Sequence, residues 1–177
     1  MMSLAADRWT LIAVATVIVG VVAVVGGLAT EIGEWYEGLN FPSWRPPNWV
    51  FGPAWTLIFF LTATSGVLAW EQAPDDRSRL WLLALFLINA ALNIAWSPLF
   101  FKLRRPDWAL VELVFLWLSI VSLIVAVGAI SPFASALLAP YLLWVSFAGF
   151  LNWTMVKLNR PFVTYRPAAR REAGSAS

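Results

Sequence analysis

The stretch Trp35-Tyr36-Glu37-Gly38-Leu39-Asn40-Phe41-Pro42-Ser43-Trp44-Arg45-Pro46-Pro47-Asn48-Trp49-Val50-Phe51-Gly52-Pro53-Ala54-Trp55 decides how the rest of the chain is read. Four Trp, four Pro and one Tyr fall within these 21 residues. Pro46 and Pro47 forbid a helix interior and hold the chain extended, whereas Pro near a helix start is acceptable. The stretch therefore reads as an ordered loop that runs into a helix. Indole rings favour the membrane–water boundary, where the ring sits in the apolar layer and the N–H meets something polar. These residues are expected to form a rigid aromatic lid over a pocket whose floor comes from later helices.

Composition places that loop in a membrane protein. The chain has 177 residues, 60% of them apolar and 12% charged, with a mean hydropathy of +0.74. A soluble domain carries about 25% charged residues. Five apolar runs of roughly 20 residues would use most of the length. There is no Cys, which removes disulfides and thiol chemistry, and no His, which removes the commonest proton shuttle and metal ligand.

The predicted spans are 9–29, 48–70, 80–101, 108–130 and 133–156, giving an all-α membrane protein: a five-transmembrane-helix bundle with an ordered aromatic first loop. Residues 1–160 form one transmembrane domain, and 161–177 form a polar, basic C-terminal tail. In the first span Gly20, Ala23 and Gly27 share a face that would allow close helix contact. A cleaved signal peptide is the alternative for this run, but it is too long for a signal core and lacks a clear cleavage site. Five crossings put the chain ends on opposite sides. The N-terminus and the second and fourth loops carry three basic residues, against nine in the first and third loops and the tail. That bias predicts a cytoplasmic C-terminus and an outside N-terminus. No internal repeat is seen, so an inverted-repeat transporter lacks its usual signature.

Three helix faces mix polar and aromatic residues. Asn89, Asn93, Trp96 and Phe100 share one face of the third helix, and Tyr141, Trp144, Ala148 and Asn152 share one face of the fifth. Trp55, Phe59, Thr62 and Gly66 line up on the second. Each stripe reads either as helix–helix packing or as a pocket wall, because intramembrane amides need a partner in another helix or a ligand. Glu112 lies one turn into the fourth span. It is a functional candidate, or a carboxylate that reaches Arg104 or Arg105 in the basic turn. Ser119 and Ser122 are expected to bond back to their own helix. No catalytic set and no metal-ligand set assembles. A porphyrin would be held by stacking and hydrogen bonds, with Tyr or Met sulfur the remaining iron ligands.

These residues resemble the TspO/MBR family, the tryptophan-rich sensory and translocator proteins. Trp35-Tyr36 followed by Pro42-Ser43-Trp44-x-Pro46-Pro47-x-Trp49-Val50-x-Gly52-Pro53-x-Trp55 is similar to its first-loop signature. Ala91-Leu92-Asn93-x-Ala95-Trp96-x-Pro98-x-Phe100-Phe101, and Pro140-Tyr141-Leu142-x-Trp144 through Ala148 to Leu151-Asn152, resemble its third and fifth helices. The resemblance covers roughly residues 10–160. It implies a five-helix bundle, commonly a homodimer in membrane lipid, that binds tetrapyrroles and other hydrophobic small molecules under the first loop. By motif position the ligand-binding residues would be Trp35, Tyr36, Trp55, Asn93, Trp96, Trp144, Ala148 and Leu151. Trp153 stands where the family's sterol pattern has Tyr, which lowers the expectation of sterol binding there.

The expected function is that of a multi-pass membrane receptor or sensor for protoporphyrin-type ligands, with a role in tetrapyrrole or stress regulation. It has no catalytic residue, no required cofactor and no nucleic-acid partner. Light- and oxygen-dependent porphyrin degradation is one alternative, and transport of porphyrins or sterol-like lipids is another.

Overall fold

A computed structural model describes residues 7–162 of the chain. The elements are α1 (Arg8–Ala29), α2 (Glu34–Glu37), a 3₁₀ turn at Asn48–Val50, α3 (Phe51–Gln72), α4 (Asp76–Ser97) continuing through a π turn at Pro98–Lys102, α5 (Pro106–Gly128), α6 (Pro132–Ala136) and α7 (Ala139–Asn159). Five segments are long and apolar enough to cross a membrane: Arg8–Ala29, Asn48–Gln72, Asp76–Lys102, Pro106–Gly128 and Pro132–Asn159. The described residues contain no strand. Most of the expected tail, from residue 163 onward, lies outside the described residues.

Local chemistry sets the helix starts. Asp7 Oδ1 accepts from Thr10 N at 2.9 Å, and Asp75 Oδ1 from Ser78 N at 2.7 Å, so each carboxylate caps a first turn. The Asp75 cap draws Asp76 to Arg79 into α4, which starts four residues before the predicted span 80–101; Arg79 pairs with Asp76 at 2.8 Å. α5, α6 and α7 carry Pro in their first turn, where a missing N–H costs nothing.

Two prolines reshape spans that the sequence reads as single helices. Pro140 has no N–H to offer the carbonyl of Ala136, so the fifth span breaks into α6 and α7 around Leu137 and Leu138. Pro98 has none for Ile94, and α4 widens there, with Leu103 N bonding Pro98 O at 2.9 Å.

α5 is the axis of the bundle. Ala109, Leu113, Leu116, Ile120, Leu123 and Val127 recur at alternating steps of four and three residues, and all are buried. They enter three clusters in turn. Ala109 joins Phe100, Phe101, Leu151 and Met155 near the first loop. Leu113, Leu116 and Ile120 join Ile58, Tyr141 and Val145 at mid-depth. Leu123 and Val127 join Ala69, Leu82 and Leu138 at the far end. α1 is peripheral, with only Val22 and Ala29 buried. The small face of Gly20, Ala23 and Gly27 makes no close helix contact among the described residues of this chain. It is exposed, and a Cβ built on Gly20 or Gly27 meets nothing within 4 Å.

Candidate ligand site

The first loop lies on the ends of α4 and α7. Asn159 of α7 clips it down: its Oδ1 accepts from Asn40 N at 2.8 Å, and its Nδ2 donates to Asn40 O at 2.9 Å. Trp44 stacks on Phe150 with centroids 5.2 Å apart, and Trp35 meets Phe100 edge-on at 6.0 Å. The Arg45 guanidinium sits 3.7 Å above the Phe41 ring, within range of a cation–π contact. Tyr36 tilts against Phe101 at 5.5 Å. Burial raises the Tyr36 phenol above its ordinary value and nearby Arg45 pulls it back, so the ring stays neutral at physiological pH. Trp49 points away from this layer and is 73% exposed.

Below the loop, indoles from three spans pack on one buried cluster. Trp55 of α3, Trp96 of α4 and Trp144 and Ala148 of α7 all pack on the mid-depth cluster of Ile58, Leu116, Tyr141 and Val145. Trp96 stacks on Phe100 at 5.0 Å, and Trp55 on Phe59 at 5.3 Å while meeting Tyr141 edge-on at 6.1 Å. Trp144 meets Phe51 edge-on at 5.5 Å. Leu151 is buried in the neighbouring cluster, with Trp35, Tyr36 and Trp96 against it. Trp96 thus joins the two layers. The Nε1 atoms of Trp96 and Trp144 are both buried and make no hydrogen bond among the described residues. A buried donor left without a partner costs about 1–3 kcal/mol.

The two asparagines of the α4 stripe divide the readings the sequence left open. Asn93 Nδ2 donates to Tyr141 OH at 2.9 Å, Tyr141 OH donates to Asn89 Oδ1 at 3.3 Å, and Asn89 Nδ2 donates to Ser119 Oγ at 2.8 Å. Ser119 then donates to Leu116 O at 2.7 Å and Ser122 to Leu118 O at 2.9 Å, the expected back-bonds. Asn89 is therefore helix–helix glue joining α4, α5 and α7. Asn93 spends its amide nitrogen on Tyr141, and its Oδ1 makes no hydrogen bond among the described residues.

A cavity of about 290 Å³ lies beside this network, between α1, α3, α4 and Tyr141. Of the eight expected site residues Asn93 alone lines it. The other seven pack against one another and their neighbours nearer the loop, where Phe100 is only 2% exposed. Phe59, Thr62 and Gly66 of the α3 stripe line the cavity, but Trp55 does not. Of the two readings of Glu112, the one that has it reach Arg105 does not hold. Arg105 gives its guanidinium to Asp107, with bonds of 2.8 and 2.6 Å, because Asp107 is two residues away and Glu112 two helical turns deeper. That partnership raises the Arg105 pKa. Both Glu112 oxygens are buried without a hydrogen bond among the described residues.

Neither the Asn159 clip nor the contacts of Trp44 with Phe147 (6.1 Å, edge-on) and Phe150 carry a sequence signal. Asn159 pairs with a residue 119 positions away, and no local pattern marks such a bond.

Comparison with known proteins agrees with this architecture. The TspO/MBR family profile matches residues 13–158. The tryptophan-rich protein TspO of Chlorobaculum tepidum is 42% identical over 129 residues, covering 71% of this chain and 79% of that protein. The human translocator protein is 37% identical over 127 residues, covering 71% and 75%. The tryptophan-rich sensory protein of Cereibacter sphaeroides is 32% identical over 162 residues, covering 92% and 97%. With its aromatic first loop and its Trp-, Asn- and Pro-bearing helices, this chain belongs to the TspO/MBR family.

Proposed function

We propose that this integral membrane protein is a receptor for a tetrapyrrole of the protoporphyrin type, held against Trp55, Trp96 and Trp144 beneath the first loop. The observation that carries the reading is the meeting of three indoles from three spans on one cluster, two of them with buried, unpartnered N–H groups. A flat conjugated ring offers faces for stacking and peripheral oxygens for those donors. On this reading Trp35, Tyr36 and Leu151 close the loop side and Asn93 supplies one hydrogen bond. Phe100, now stacked on Trp96, is the ring a ligand would displace.

Titration of the protein with protoporphyrin IX tests this. Quenching of Trp fluorescence should saturate, and Trp144→Ala should weaken binding by about 1–3 kcal/mol, with base–aromatic stacking as the analogue. Quenching that rises without saturation, or that ignores this substitution, removes the site.

A further inference from the structure

None of Trp55, Trp96 and Trp144 lines the cavity between α1, α3 and α4. From Leu82 to Asn93 its α4 wall spans eleven residue steps, about 16 Å at the α-helical rise. Its exposed wall residues, Thr10 and Val14, both lie on α1, and Val14 is inside a membrane-crossing segment. The mouth thus opens along the α1 edge, toward acyl chains. Among the described residues no charged side chain lines the cavity.

The polar atoms of the wall are few. Asn89 and Tyr141 are engaged with their neighbours, whereas Asn93 Oδ1 makes no hydrogen bond among the described residues. Thr62 gives an independent sign. On the same helix Thr56 and Thr64 donate to the carbonyls four residues back, both at 2.9 Å. Thr62 does not, and its Oγ1 is buried without a hydrogen bond among the described residues. The Trp70 indole N–H, also in the wall, is likewise without a partner. An intramembrane hydroxyl that forgoes the usual back-bond is left to serve a group that enters the cavity.

The geometry points to a second ligand site: a lateral cavity for an elongated, uncharged lipid with one hydroxyl, of the long-chain alcohol type. The chain enters from the bilayer past Val14. Its hydroxyl donates to Asn93 Oδ1 and accepts from Thr62. A fatty-acid carboxylate fits poorly, because a buried anion with no cation beside it is costly. The site does not depend on the tetrapyrrole reading, although Asn93 and Tyr141 border both.

The full chain in lipid nanodiscs is photolabelled with a diazirine-bearing hexadecanol, and the labelled peptides are sequenced. Label should appear around Val14, Ala63 and Ala90, and be displaced by excess hexadecanol but not by palmitate. Ala63→Phe fills the cavity and should abolish this label while protoporphyrin quenching is unchanged. Thr62→Val is nearly isosteric and should weaken displacement by hexadecanol about two- to tenfold, the loss of one hydrogen bond. Label confined to lipid-facing residues such as Val17 and Val24, or insensitive to both substitutions, overturns the site. Displacement by palmitate equal to that by hexadecanol overturns the uncharged ligand.

Discussion

Tyr141 holds two asparagines of one helix at once, accepting from Asn93 and donating to Asn89. Its hydroxyl is the only link in that chain contributed by α7. Tyr141→Phe keeps the ring and leaves Asn89 Oδ1 and Asn93 Nδ2 without that partner. The expected loss is about 1–2 kcal/mol, since intramembrane hydrogen bonds are worth no more than those in water. Thermal unfolding in detergent would show it as a lower midpoint; an unchanged midpoint would mean that both amides find other partners. The spacing of Asn89, Asn93 and Trp96 was legible because helical periodicity puts them on one face. The division of labour between the asparagines was not, because it depends on Ser119 and Tyr141 from other helices. Glu112 shows the same boundary. The sequence marks it as an intramembrane acid, but only packing shows that Asp107 takes the nearby arginine.

At the scale of elements, the first loop is held by its contacts with α4 and α7. Proline and tryptophan content announced an ordered loop, and the structure supplies its anchors: Asn159 on Asn40, Trp44 on Phe150 and Trp35 on Phe100. Asn159→Ala removes both bonds to the Asn40 backbone, worth about 1–3 kcal/mol together. Amide exchange at Asn40 and its neighbours should then quicken while exchange in α5 stays slow; unchanged exchange at Asn40 would show that the aromatic contacts alone hold the loop. Span positions were legible to within a few residues from hydropathy. The break between α6 and α7 was not, although Pro140 was in view. A proline near the start of a span reads equally as a first-turn residue or as an interruption, and here it is both.

Taken whole, the molecule is a bundle wound on α5, with α1 at its edge and the aromatic loop at one end. The five-span architecture followed from composition, because an apolar chain of this length has few other ways to satisfy its backbone in lipid. The aromatic convergence was legible as three stripes, since the same face periodicity applies to each helix. The position of the open cavity was not. It depends on how Phe59, Phe86 and Phe100 fill the bundle interior, and no single helix records that. In the proposed receptor, indoles from separate spans act on one ligand. A double-mutant cycle between Trp96→Leu and Trp144→Leu, read as protoporphyrin affinity in nanodiscs, tests this most directly. Each substitution alone should weaken saturable binding, and the pair should be non-additive by about 0.5–3 kcal/mol, as expected for residues that share a partner. Strictly additive losses, or no loss from either change, would contradict a single site.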